Sequence, residues 1–138
     1  MPTLDAYLTF DGTCAEAMRF YERTLGGKLE TLMTHAESPM ADQVPPASRD
    51  RILHARLVVD GRHLMASDSP AGQPYEGMHG FSLSLDYGDV AEARRVFDAL
   101  ADGGRVNMPL QKVFWADLFG MLVDRYGTPW MVNAVAAS

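Results

Sequence analysis

The chain has 138 residues, 47% of them hydrophobic and 22% charged, which suits one globular domain large enough to close a hydrophobic core. Its 18 acids outnumber 12 bases for a net charge of −6, so the basic footprint of a nucleic-acid binder is missing and a highly anionic substrate is disfavoured. A single cysteine, Cys14, excludes an internal disulfide framework and a cysteine-rich zinc site, and a reducing cytoplasm is expected.

Membrane attachment is not expected, because no stretch approaches the run of about 18 to 20 apolar residues that a span needs. The opening string MPTLDAYLTF lacks a basic region followed by a long apolar one, so no secretory signal is expected either.

In chain order the patterning predicts a strand over about 4–10, a helix over 14–25, a strand over 28–36 and a hairpin over 51–67. The order then repeats: strand 80–86, helix 90–101, strand 104–110, hairpin 115–134. The helices announce themselves by apolar residues three and four apart, Ala17, Phe20, Tyr21 and Leu25 in one, Ala93, Val96, Phe97 and Leu100 in the other. Thr13 and Asp89 stand where side-chain oxygens accept from first-turn amides. Gly26-Gly27 and Gly103-Gly104 supply the left-handed backbone that stops a helix. Asp60-Gly61 is a two-residue hairpin turn. Residues 37–50, ESPMADQVPPASRD, read as a polar, Pro-rich, mobile loop, and 68–79 link the two halves.

The repetition extends to the residues. AEAMRFYERTLGGKL at 15–29 matches AEARRVFDALADGGRV at 91–106 with one extra residue. The aliphatic strand, Asp/Gly turn and returning strand that ends near Met65 is echoed by the one that ends near Met131. Two echoes in the same order indicate a duplication. Each half is βαβββ, a small sheet with one helix on one face, and its other face is left to be covered or to line a cavity. The expected fold is α+β: two tandem modules, about 1–68 and about 79–138, forming a cupped eight-stranded mixed sheet with outer helices and a concave pocket.

A duplicated βαβββ chain of this length resembles the glyoxalase/bleomycin-resistance/dioxygenase (vicinal oxygen chelate) superfamily. YLTFDGTCAEAMRFYERTLGG, ILHARLVVDGRHLMASD and FWADLFGMLVDRYGTPWMVN are similar to its PhnB-like branch, sometimes labelled demethylubiquinone methyltransferase-like. The resemblance covers nearly the whole chain and implies a homodimer with sites shared between subunits. The methyltransferase label finds no support in the residues. A cofactor-binding Gly-rich turn follows a strand and opens a helix, whereas both Gly-Gly pairs here follow helices.

The resemblance further implies divalent-metal ligands on the first and last strands of each half. Carried over, those positions fall at Tyr7 or Ala6, at Met65, at Phe81 or Ser82 with His79 nearby, and at Met131. Thioethers suit copper(I) rather than the harder divalent ions. The family-type metal set thus reads as lost, and no cofactor is expected. A different site from His54, His63 and His79 would need three or four groups to converge.

The remaining candidates are ligand-binding side chains. His54 shares a strand face with Arg56, opposite Leu53, Ala55 and Leu57, by simple alternation. It reads as a pocket acid or base or, more plainly, as a paired structural histidine. Phe114, Trp115 and Phe119 form an aromatic cluster that could stack on a flat ligand, and Trp130 reads as core. Tyr7, Ser67 and Asn133 offer polar handles, and Asp68 reads as a turn residue. Cys14 lies near a helix N-terminus, where a thiol pKa can fall. The nine methionines suit adaptable packing or a promiscuous apolar pocket. The expected function is binding of a small organic molecule. The rivals are a lyase, isomerase or dioxygenase with a non-standard metal site, and a structural or interaction protein.

Overall fold

A computed structural model describes residues 1–135. The chain divides into two compact units, Met1–Glu76 and Gly77–Ser138. The first contains β1 (Ala6–Phe10), α1 (Cys14–Leu25), β2 (Lys28–Thr34), β3 (Ile52–Val59) and β4 (Arg62–Asp68). The second contains β5 (Leu83–Tyr87), α2 (Val90–Ala101), β6 (Arg105–Val113), β7 (Ala116–Val123) and β8 (Pro129–Ala134). The fold is α+β, two four-stranded mixed sheets with one helix each.

The first sheet runs β1-β4-β3-β2 and the second β5-β8-β7-β6. In each, three strands form an antiparallel meander, and the helix crossover lets the opening strand lie parallel to the last. The meander's tight corner in the first unit is Asp60-Gly61, both at positive φ (47° and 76°), the geometry a two-residue hairpin requires.

Each helix buries its apolar stripe on its own sheet. Ala17, Met18, Phe20 and Tyr21 of α1 are buried against a sheet layer that includes Ala55, Leu57 and Ala66, and Leu8 and Phe10 of β1 are buried as well. In α2 the buried set is Ala93, Val96, Phe97 and Leu100, as its periodicity predicts, set against Leu118, Leu122, Trp130 and Val132. Leu25, expected in the α1 stripe, is only half-buried, and Thr24 is buried in its place.

Both Gly-Gly pairs do a second job beyond ending the helix. Gly26 takes the left-handed conformation (φ 78°), but Gly27 is needed because a Cβ there would come 2.5 Å from the Val58 carbonyl oxygen. Gly104 meets the Val123 carbonyl in the same way. The duplication therefore repeats a close helix-exit-to-strand approach as well as a cap.

The helix starts differ. Asp89 caps α2 as expected, accepting from the Ala91 and Glu92 amides. Thr13 makes no side-chain cap. Its task falls to Asp68, whose Oδ1 accepts from Gly12 N (2.9 Å) and Cys14 N (3.0 Å) while Oδ2 accepts from Ile52 N (2.9 Å). Asp68 is thus the buried last residue of β4 and ties β1, α1 and β3 together, which corrects its reading as a turn residue.

Two further expectations change. Residues 37–50 carry two short 3₁₀ turns, Ala41–Gln43 and Pro46–Ser48, and bury Ser38 and Ser48. The loop is fastened by Ala36 N to Arg49 O (2.9 Å) and by the Ser48 hydroxyl accepting from Ala71 N (3.1 Å). The opening strand of the second half begins at Leu83, so His79, Phe81 and Ser82 precede it.

Candidate functional site

Strand alternation places one set of side chains on the helix and the next set on the opposite face. In the first unit the register reads out that opposite face in rows. Tyr7 lies beside Met65, Met65 beside Arg56, and Arg56 beside Thr31. One step along, Thr9 lies beside Ser67, and His54 faces Met33. The β3–β4 ladder ends just short of these two, at Ala55 beside Ala66.

Tyr7 is 51% exposed, and its hydroxyl lies 3.2 Å from His54 Nδ1 with the two rings stacked at 5.8 Å and 27°. This pair joins a phenol and an imidazole from strands separated by β4. Beside it Arg56 Nη2 sits 3.1 and 3.2 Å from the two ring nitrogens of His63. Glu30 stands 3.8 Å from Arg56 Nε, too far for a hydrogen bond, and Asp5 stands 4.0 Å from His63. The face is therefore a polar surface of alternating charge with Met65 at its centre.

The simple alternation of β3 fails at one point. Thr34 pairs with Ile52 and Met33 with His54, so the ladder skips Leu53. This bulge leaves Ile52 and Ala55 both buried while Leu53 joins a cleft, away from the set with Ala55 and Leu57 expected from alternation. The cleft, about 270 Å³, is walled by His35, Val44, Pro45 and Leu53 and reaches Ser67.

The face away from α2 in the second unit has equivalent rows. Ser84 lies beside Met131, Met131 beside Met121, and Met121 beside Met108. Asp86 lies beside Asn133, Asn133 beside Phe119, and Phe119 beside Gln111. Asn133 Nδ2 donates to Asp86 Oδ1 at 3.1 Å. Trp115, 50% exposed, packs edge-on against Phe119 (5.3 Å) and Phe114 (4.7 Å). A cleft of about 210 Å³ opens beside Trp115, lined also by Lys112, Phe114, Asp117 and Val135.

These registers correct the carried-over site. Tyr7 pairs with Met65, and the residue paired with Met131 is Ser84. The counterpart of Tyr7 is therefore Ser84, and Phe81, Ser82 and His79 lie ahead of the strand, with Phe81 45% exposed. Ser84 and Asp86 were missed in the sequence, although a signal was present. Leu8-Thr9-Phe10 and Leu85-Asp86-Tyr87 are both Leu-x-aromatic strings just ahead of a helix start, and aligning them gives the observed correspondence.

The metal set implied by the superfamily can be tested on these positions. Tyr7, Met65, Ser84 and Met131 offer a phenol, an aliphatic hydroxyl and two thioethers. They include no imidazole or carboxylate of the kind that holds zinc, magnesium or manganese. Among the described residues, no three His, Cys, Asp or Glu side chains gather as a metal site. The donor set does not fit a hard divalent cation.

Cys14 is buried at the start of α1. Burial first, and the charge of Asp68 second, push its thiol up to about 12. The helix N-terminus does not make it a thiolate, because desolvation outweighs the dipole. Asp124 is the second unit's structural carboxylate: Oδ1 accepts from Tyr126 N and Thr128 N, and Oδ2 from Trp130 Nε1 at 2.8 Å. Trp130 is accordingly core, 2% exposed.

Comparison with known proteins agrees with the architecture. The family described as 3-demethylubiquinone-9 3-methyltransferase matches residues 3–133. Protein YjdN of Escherichia coli K12 is 38% identical over 96% of this chain and 95% of its own length. The crystal structure of PA1353 from Pseudomonas aeruginosa superposes with a TM-score of 0.91 at 47% identity, covering 99% of this chain and 100% of that one. A putative 3-demethylubiquinone-9 3-methyltransferase, PhnB protein, from Bacillus cereus gives 0.82 at 25% identity over 97% and 100%. A glyoxylase/bleomycin resistance protein/dioxygenase domain from Frankia sp. EAN1pec, 15% identical with a TM-score of 0.62 over 100% and 98%, shares the fold alone. With matched βαβββ units and these relatives, the chain belongs to the 3-demethylubiquinone-9 3-methyltransferase family, and its fold is the one seen in the glyoxylase/bleomycin resistance protein/dioxygenase domain.

Proposed function

We propose that the protein binds a small organic molecule on the sheet faces that its helices leave uncovered. Tyr7, His54, Met65 and Ser67 serve in the first unit, and Met131, Asn133 and Trp115 in the second. The observation that carries this reading is the Tyr7–His54 pair, stacked and 3.2 Å apart on a half-exposed face beside a thioether and a hydroxyl. Polar handles on an otherwise adaptable surface are what orient a small ligand. His79 and Phe81 are left out, because both precede β5.

Methyl transfer, the activity in the family's description, gains no support from the glycines, since each Gly-Gly pair closes a helix. A homodimer in a reducing cytoplasm is part of the proposal. Its support is the place of β1, β2, β5 and β6 at the ends of their four-stranded sheets, the exposed Phe114 (97%), and the single thiol, which is buried.

The test is a native mass spectrum of protein purified without added metal or chelator. A dimer carrying an extra organic mass, lost on substitution of Tyr7 by Ala, supports the reading. A stoichiometric transition metal in place of any organic mass overturns it and makes a metalloenzyme the leading function.

A further inference from the structure

We propose that Asp86, Asn133, Phe119 and Trp115 recognise a protonated amine carried on an apolar, ring-sized body. This rests on the binding reading above and adds the chemical class of the ligand.

The four residues are brought together by one ladder row and one aromatic contact. Asp86, Asn133 and Phe119 are successive cross-strand partners over β5, β8 and β7, and Trp115 packs on the Phe119 ring. The antiparallel partners Asn133 and Phe119 stand about 4.5–5.5 Å apart at Cβ, and the Asp86 and Asn133 side chains are in hydrogen-bond contact, so the row is compact enough to grip one functional group.

The Asn133 amide has only one sensible orientation. Its NH₂ faces the Asp86 carboxylate at 3.1 Å, because the amide oxygen there would set two acceptors against each other. That turns Oδ1 away from Asp86, and Oδ1 is shielded from solvent with no donor. The exposed Asp86 carboxylate, meanwhile, is in no ion pair with a lysine or arginine among the described residues.

The row therefore offers an exposed negative charge, held in place by the Asn133 amide, and asks for N–H donors and positive charge. Phe119 supplies a ring face and Trp115 a half-exposed indole, the surfaces that attract ammonium groups. The neighbouring row, Met131 and Met121, gives the ligand's carbon body an adaptable apolar bed. A net charge of −6 draws a cation toward the chain and repels an anion.

Isotope-labelled full-length protein is titrated with benzylammonium, benzyltrimethylammonium, benzyl alcohol and benzoate. The readouts are the Asn133 side-chain NH₂ signals and the methyl signals of Met121 and Met131. Benzylammonium is expected to bind there about tenfold more tightly than benzyl alcohol or benzoate, the order of one charge-assisted hydrogen bond. Benzyltrimethylammonium, which keeps the charge but has no N–H, falls between them. Asp86→Asn, on an exposed side chain, is expected to weaken benzylammonium about tenfold and leave benzyl alcohol unchanged. Equal binding of all four probes at Asn133 overturns the amine assignment while the binding reading stands. Silence at Asn133 with every probe overturns this site, and the co-purified mass then decides the broader reading by itself.

Discussion

Replacing Asp68 removes a joint on which three elements of the first unit depend. Its carboxylate accepts from the amides of Gly12, Cys14 and Ile52 at 2.9, 3.0 and 2.9 Å, and the residue is only 8% exposed. In Asp68→Ala the Cys14 and Ile52 amides, both buried, lose their acceptor outright. Each stranded donor costs about 1–3 kcal/mol, and the Gly12 amide, part-buried, costs less. The expected loss is about 3–5 kcal/mol. Asp68→Asn keeps one oxygen but turns an NH₂ toward an N–H, for an expected loss of about 2–3 kcal/mol. Urea unfolding followed by circular dichroism measures this directly. With a slope of about 2 kcal/mol per molar, the alanine variant's midpoint falls by roughly 1.5–2.5 M. The rate at which Cys14 reacts with a thiol reagent under native conditions rises in parallel, since the same bonds close the start of α1. An Asp68→Ala protein within about 1 kcal/mol of the parent would show that the three bonds do not carry the joint.

Asp89→Ala is expected to cost about 1 kcal/mol in urea unfolding, whereas Thr13→Ala stays within about 0.5 kcal/mol, because only Asp89 caps its helix. Stability is expected to fall as pH rises from about 9 toward 12. The Cys14 thiol is raised in the folded state from 9.0 to about 12, so its contribution is complete below the unfolded value and lost on the way to the folded one. Its share of the slope is at most about 1.4 kcal/mol per pH unit, and Cys14→Ala removes that share from a pH series of unfolding curves. Gly120→Ala is expected to cost about 1–3 kcal/mol by overpacking, since its Cβ would lie 2.7 Å from the Phe97 ring and 3.0 Å from the Met108 carbonyl oxygen; a thermal melt that does not move would refute that clash.

The fold was legible because the patterns that specify it are local. Apolar spacing marked α2 residue for residue, and the Gly-Gly pairs and Asp60-Gly61 marked where elements end. The site was less legible for two physical reasons. Strand faces depend on register, and one bulge at Leu53 is enough to move a side chain to the other side of β3 without any mark in the sequence. Tertiary hydrogen bonds are equally silent: nothing near Thr13 announces that an aspartate 55 residues later caps its helix, nor does Cys14's place at a helix start reveal the burial that keeps it protonated. Phe81 and Ser82 continue the apolar-polar rhythm of the second half's opening strand and so read as part of it, whereas the ladder begins at Leu83.

Matching the two units by register separates what the duplication repeats from what it varies. Helix stripes, second glycines and the parallel pairing of first and last strands recur. The faces away from the helices do not. Tyr7 corresponds to Ser84, Thr9 to Asp86, Arg56 to Met121, His54 to Phe119 and Ser67 to Asn133, and only Met65 and Met131 agree. The first face thus presents imidazole, guanidinium and phenol groups, and the second presents a carboxylate, an amide and thioethers. Equivalent positions therefore no longer hold equivalent donors, so whatever chemistry one face offers is not repeated by the other, and only the scaffold of the duplication is conserved between the units.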